Sequence, residues 1–250
     1  MIPSITRRIL VLTSLASIAR GHGMVTSFQT DGVENQGFIL DYYYDKVNGQ
    51  PVPDIAAWYT ENLDSGFVAP NNYSSPDIIC HKNATPGTLT TTVAAGGTVE
   101  FTWAPKWPHP YGPILTYVAK CDNGDCTQVD KTTLEWVKIQ ADGINYDTQI
   151  WASQDLIDQN NTWTITVPDA LAPGSYVFRH EIIALHGAST LNGAQNYPQC
   201  FNINITGSGT ANPTGVLGTE LYKNTDPGIY MNPYTTITSY AMPGPTLFVG

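Results

Sequence analysis

The chain is short of charge, and above all of positive charge: 13% of its residues are Asp, Glu, Lys or Arg, and 11 of 250 are basic against 21 acidic. The resulting formal charge of −10 repels phosphate backbones, which argues against nucleic acid as a partner. Long apolar runs are also missing. Past residue 19 no stretch is long and apolar enough to cross a bilayer, which argues against a membrane span. There is no internal repeat, no low-complexity linker and no small Cys-rich module, so a second, appended binding domain is not expected.

What is present begins at the amino terminus. Residues 1–21 read as a secretory signal peptide: Arg7 and Arg8 precede a mostly apolar run from Ile9 to Ala19 that is too short to span a membrane. Ala19 and Gly21 occupy positions −3 and −1 of a cut after Gly21, which makes His22 the new terminus. A cut after Ala19, with Ser17 at −3, is the alternative and leaves Arg-Gly ahead of His22. Cleavage after Gly21 removes Arg7, Arg8 and Arg20 and no acid, leaving eight basic and 21 acidic residues, a formal charge of −13. The remaining 229 residues (22–250) suffice for one large domain with its own core, expected to be secreted and extracellular.

Four cysteines in an oxidising compartment imply two disulfides, with three possible connectivities. Cys121 and Cys126 flank Asp-Asn-Gly-Asp, a turn sequence, so a local clasp is the natural pairing. That leaves Cys80 with Cys200, a bridge worth about 4–5 kcal/mol by loop entropy. Asn72, Asn83, Asn160 and Asn204 all head Asn-x-Ser/Thr glycosylation sequons.

Strand-like runs recur at Leu89–Val93, Thr98–Trp103, Ile114–Ala119, Leu134–Ile139, Trp163–Val167, Ser175–Leu185 and Phe201–Ile205. Residues 94–97, Ala-Ala-Gly-Gly, read as a hairpin connection between the first two. Many short strands between Gly/Pro turns predict an all-β antiparallel sandwich. Residues 32–83, rich in Tyr, Asn, Asp and Pro, predict surface loops with short helical turns, and residues 212–250 predict an extended tail wrapping the sandwich.

Five histidines carry the candidate chemistry: His22, His81, His109, His180 and His186. His180-Glu181 with His186 invites comparison with a zinc-protease helix, but the second histidine falls at i+6 within strand-like sequence. Six strand residues span about 20 Å, so these two do not share a metal. His109 lies in Trp107-Pro-His-Pro-Tyr-Gly-Pro113, where flanking prolines stiffen the loop as a fixed ligand would require. Taken alone, a loop histidine is an ordinary surface residue. A terminal His22 changes that, because it offers a metal both its amine and its imidazole. With His109 it makes three nitrogens, a set that suits copper, the divalent ion nitrogen sites hold most tightly. The amine titrates near pH 8 when free and must lose its proton to bind, so copper affinity falls in acid.

These residues resemble a known family. The His22-Gly start, Pro76-Asp-Ile-Ile-Cys-His-Lys-Asn83, Trp107-Pro-His-Pro with Gly112-Pro113, and Arg179-His-Glu-Ile-Ile-Ala-Leu-His186 all fit it. So do Gly193-Ala-Gln-Asn-Tyr-Pro-Gln-Cys200 and Pro-Gly-Pro at 243–245. Together they look like the fungal copper-dependent lytic polysaccharide monooxygenases of auxiliary activity family nine. The resemblance implies an immunoglobulin- or fibronectin-like β-sandwich whose flat face carries one copper ion held by His22 and His109. It implies that Tyr197 is the axial tyrosine and that His186 and Gln195 hydrogen-bond oxygen species beside the metal. It also implies oxidative cleavage at C1 or C4 of a polysaccharide, cellulose first, driven by an external electron donor (a small reductant or a redox enzyme) with dioxygen or hydrogen peroxide. Tyr240 matches a surface tyrosine of the family. Tyr42, Tyr43, Tyr44 and Tyr234 either pack within their loops or reach the same face. The family commonly has one residue between the copper histidine and Gly-Pro; Pro110 and Tyr111 intervene here, which would shift His109 or push Tyr111 towards substrate. A monomer is expected.

Two rivals stand beside this reading. A glycoside hydrolase needs two carboxylates set about a sugar bond; no motif supplies them, and Glu181, alternating with Arg179 on one side of a strand, suits a structural ion pair. A non-catalytic carbohydrate-binding domain needs the tyrosine face but no copper.

Overall fold

The computed structural model describes residues 23–62, 66–104 and 106–250. The leader and His22 therefore lie outside the described residues. The strands are β1 (Met24–Thr30), β2 (Val33–Gln36), β3 (Thr91–Ala94), β4 (Thr98–Ala104), β5 (Ile114–Lys120) and β6 (Glu135–Asp142). They continue with β7 (Ile144–Asn145), β8 (Ile150–Trp151), β9 (Thr162–Thr166), β10 (Gly174–Ala184), β11 (Gln195–Thr206) and β12 (Val216–Leu217). Three short helices, α1 (Leu40–Val47), α2 (Asp77–Cys80) and α3 (Ala152–Asp158), sit in the connections. One sheet runs β2-β1-β4-β9 and the facing one β12-β6-β5-β10-β11-β3, with β7 and β8 forming a separate hairpin. This is the expected β-sandwich.

Side-chain alternation explains the layering. Along β10, Tyr176, Phe178, Ile182 and Ala184 point between the sheets and meet Phe28, Phe101, Trp103 and Phe201. Val177, Ile183 and the following Leu185 point the other way, into a second core with Trp58, Tyr73, Ile79, Tyr117 and Trp136. A strand apolar on both faces must be covered on both. The cover on the outer side is the stretch predicted as surface loops, together with the tail, so these act as a third layer. Cys80–Cys200 fastens that layer to β11, and Cys121–Cys126 closes the turn after β5.

One expectation is corrected. Residues 94–97 do turn, with the Gly97 amide donating to the Ala94 carbonyl at 2.9 Å. The turn is an arch and not a hairpin: β3 lies parallel to β11 in one sheet, while β4 pairs with β1 and β9 in the other. Turn chemistry fixes a reversal of the chain, not which sheet receives it.

His180 lies on the inter-sheet face, fully buried and stacked on Phe101 with ring centroids 4.1 Å apart. The Thr116 hydroxyl donates to Gln140 at 3.2 Å and so accepts from His180 Nδ1 at 3.0 Å. That leaves Nε2 buried with no partner, and burial pushes the imidazole down to about 3. The folded value lies below the unfolded value near 6.5. Between these values the unfolded chain binds the extra proton, so stability falls as pH drops through that window. At about 1.4 kcal/mol per unit, His180 costs about 3 kcal/mol at pH 4. His180→Gln, which cannot ionise, is expected to lose most of this acid-side slope. Urea unfolding of both proteins at pH 7 and pH 4 measures it; an equal drop in both would clear His180.

Candidate active site

The site forms where the β4–β5 connection, the end of β10 and the start of β11 meet. Trp107 anchors the first of these: it is 1% exposed, its amide donates to the Asn161 side chain at 2.8 Å, and its indole donates to the His109 carbonyl at 2.8 Å. Asn161 holds this geometry in a left-handed conformation, φ 62°, which asparagine tolerates better than most residues. Its own carbonyl accepts from Trp103 at 2.8 Å, so one residue ties the end of β4 to the loop that carries His109. The sequence reading missed Asn161; the Asn-Asn pair at 160–161 was its only signal.

Gly112 explains why the loop needs glycine before Pro113. Its φ is +150°, and a Cβ there would fall 1.9 Å from the Ile183 carbonyl oxygen. The Gly112 carbonyl accepts from both the amide (3.1 Å) and the hydroxyl (2.9 Å) of Ser153, and the Tyr111 carbonyl accepts from the Leu185 amide at 2.8 Å. The loop is thus stitched to α3 and to Leu185, the residue just past β10 and next to His186.

His109 and His186 come together ring on ring, with centroids 4.0 Å apart and planes at 13°. Tyr197, 1% exposed on β11, meets Trp107 edge-on at 4.8 Å and donates its hydroxyl to Gln195 Oε1 at 2.8 Å. Gln195 and Tyr197 share one face of β11, as residues two apart in a strand do. Four of the five expected metal-site and catalytic residues therefore converge; His22 is the one outside the described residues. Among the described residues no three His, Cys, Asp or Glu side chains gather into a metal-binding group.

The candidate aromatic face divides. Tyr234 is 58% exposed, its hydroxyl donates to the His186 carbonyl at 2.9 Å, and its ring meets Tyr111 at 4.9 Å. Tyr240 is half-buried; its ring meets Trp151 edge-on at 4.9 Å and its hydroxyl donates to the Gly228 carbonyl at 2.8 Å. Tyr43 belongs to a different aromatic group on α1, with Tyr44 at 5.3 Å and Tyr59 at 6.3 Å. The remaining histidines are accounted for. His81, buried, accepts the Lys82 amide on Nδ1 and pairs through Nε2 with the Gly66 carbonyl, both at 2.9 Å. Glu181 is fully buried against Arg179, Nη1 to Oε2 2.7 Å, as the strand alternation predicted, and is out of reach of a sugar. Of the sequon asparagines, Asn72, Asn83 and Asn160 are exposed and Asn204 is half-buried on β11.

Comparison with known proteins draws these features together. Residues 22–240 match the family model Auxiliary Activity family 9 (formerly GH61). The chain is 60% identical to the AA9 family lytic polysaccharide monooxygenase cel61B of Hypocrea jecorina (strain QM6a), over 96% of both chains. A solved structure of a glycoside hydrolase family 61 member, Cel61B from Hypocrea jecorina, superposes with a TM-score of 0.89, covering 91% of this chain and all of that one. A cellulose-active polysaccharide monooxygenase from M. thermophila matches at 32% identity and a TM-score of 0.76, covering 92% of this chain and all of that one. The fold and these likenesses define a lytic polysaccharide monooxygenase, a copper-dependent oxidoreductase. Within that class, the chain belongs to Auxiliary Activity family 9, whose members cleave polysaccharides oxidatively with the help of a reductant.

Proposed function

We propose that the protein is a secreted, monomeric cellulose monooxygenase in which His22 and His109 hold one copper ion. The observation that carries this is the convergence of His109, His186, Gln195 and Tyr197 at one end of the sandwich, beside the exposed Tyr234. The donor set fits the metal: imidazole suits copper, and the Trp107 and Asn161 bonds fix His109 as a ligand must be fixed. When bound there, copper supplies one-electron chemistry, reduction by an external donor and then activation of dioxygen or hydrogen peroxide.

The protein's part is placement. Tyr197 spends its hydroxyl proton on Gln195 Oε1, which leaves the Gln195 amide N–H groups to donate to the co-substrate beside the two imidazoles. His186 brings a second imidazole to the same point. Such a site would support hydroxylation at C1 or C4 of a sugar, one oxygen atom coming from dioxygen or hydrogen peroxide and the other leaving as water; the oxygenated carbon would then expel the glycosidic oxygen, with no carboxylate pair needed. Tyr111 and Tyr234 offer pyranose rings apolar area with polar edges, and Tyr240 contributes through its ring, its hydroxyl being engaged. Tyr43, in the separate aromatic group on α1, is proposed as a second contact to the polysaccharide. Cellulose is favoured because the M. thermophila relative is cellulose-active. In this reading the leader is cut after Gly21, residues 22–250 act as one domain, and the sequon asparagines carry glycans.

The test is mass spectrometry of soluble products from amorphous cellulose, with copper-loaded mature protein, with and without ascorbate. Aldonic acids or 4-keto sugars that appear only with reductant are the expected result and report C1 or C4 attack. Unoxidised oligosaccharides independent of reductant would overturn it in favour of hydrolysis.

A further inference from the structure

The C-terminal tail reaches the site through five residues, 232–236, that include Tyr234. All but Pro233 are exposed. This span is tethered at both ends. On one side the Met231 amide donates to the Ala188 carbonyl at 3.0 Å, just past His186. On the other, the buried Ile237 is gripped by one side chain: its amide donates to Gln149 Oε1 at 2.8 Å, and its carbonyl accepts from Gln149 Nε2 at 3.0 Å. Gln149 thus reads the backbone of the tail in both directions, as a neighbouring strand would.

The β7–β8 hairpin is built to present that side chain. Asn145 Oδ1 accepts the amides of Asp147 and Thr148 at 3.0 and 3.1 Å, and the Asn145 carbonyl accepts the Gln149 amide at 2.8 Å. Gln149 itself is left-handed, φ 58°, a conformation costly for a residue with a side chain and no local role. Its second amide proton goes to the Tyr146 carbonyl at 2.6 Å, so every polar atom of the amide is used. The Tyr146 hydroxyl accepts from the Tyr240 amide at 3.0 Å, a second tie between the same two segments.

We infer that Gln149 is a positioning residue for polysaccharide binding: it fixes the tail at Ile237 so that Tyr234 stands over the His186 carbonyl in a ready conformation. This rests on the reading that Tyr234 meets the substrate. An unanchored tail would have to order itself on each binding event, and that cost appears as lost affinity.

The test is a double-mutant cycle read by binding isotherms on amorphous cellulose, using copper-loaded mature protein. Gln149→Gly removes the grip while keeping a residue suited to positive φ, Tyr234→Ala removes the ring, and the third protein carries both. Thermal unfolding and copper calorimetry accompany each, with copper affinity expected to be unchanged in Gln149→Gly. Roughly fivefold weaker binding is expected from either single change, as for about 1 kcal/mol, with no further loss in the double. A Gln149→Gly protein that binds like wild type while Tyr234→Ala binds weakly would overturn the inference and spare the proposed function. Additive losses would also overturn it, since Gln149 would then act through something other than Tyr234. Wild-type binding by Tyr234→Ala would instead remove the reading of the tyrosine face on which the inference stands.

Discussion

Replacing His109 by alanine is expected to abolish reductant-dependent oxidised products from cellulose while leaving the protein folded. The imidazole is half-buried between Trp107 and His186, and the backbone around it is held by bonds that do not involve the ring. Loss of the ring therefore removes a donor without releasing the loop. Removing a group that merely orients a metal ligand typically costs 10–100-fold in affinity or activity. Loss of the ligand itself should exceed that, so copper affinity is expected to fall by more than about 100-fold. His186→Ala is the informative partner: it should keep copper bound yet lose roughly 10–100-fold in product formation. Calorimetric copper titration alongside product quantification separates the two. If His109→Ala binds copper like wild type, the proposed ligand assignment is wrong.

The parts legible in sequence are those whose residues act locally. The inner strand β5 and the stretches of β10 on either side of Arg179-His180-Glu181 are apolar on consecutive positions, and Gly/Pro turns bound them. The loop at His109 announced itself through its prolines, and Gly112 through its place before one. By contrast, the first half of β11 reads Gln-Asn-Tyr-Pro-Gln-Cys and looks like a loop. It is a strand because distant segments satisfy its polar groups: Tyr73 donates to Asn196 at 2.6 Å and Val25 donates to Gln199 at 2.8 Å. β1 was hidden for another reason: a bulge between Val25 and Ser27 breaks the period of two, so its buried residues are Val25, Phe28 and Thr30. Pro-Gly-Pro at 243–245 was recognised as a motif without a reason. The reason is close packing on the outer core: Lys138, whose ammonium is pushed down to about 8 by burial, donates to the Pro243 carbonyl at 2.5 Å. At Gly244, φ 81°, a Cβ would meet the Tyr117 hydroxyl at 2.6 Å. Which tyrosines face outward was beyond the sequence: Tyr234 and Tyr240 lie in the same extended tail, yet one is exposed and the other half-buried against Trp151.

The second large effect lies beneath the site. Arg179 and Glu181 form a two-bond pair at 2.7 and 2.9 Å, and both are fully buried. The guanidinium spends its remaining protons on the Ile78 and Ile79 carbonyls at 2.9 and 2.7 Å and on the Tyr222 hydroxyl at 3.4 Å, while the carboxylate also accepts from Asn196 at 2.8 Å and from Tyr222. Burial, the largest single influence, would lower the Arg179 value, but the Glu181 carboxylate and its hydrogen bonds, with Tyr222 and Tyr117, together hold the guanidinium above its ordinary range. Such a pair adds little net stability compared with apolar residues of the same volume, yet breaking it strands a charge. Glu181→Leu or Arg179→Met alone is therefore expected to cost about 3–5 kcal/mol, whereas the two together should cost less than either single change. Urea unfolding of the four proteins gives the coupling energy, and additive losses would show that the two groups do not act as a unit. The pair also bears on catalysis. Asn196, held by Glu181, lies between Gln195 and Tyr197 in β11, so the buried network fixes the backbone from which those two side chains project.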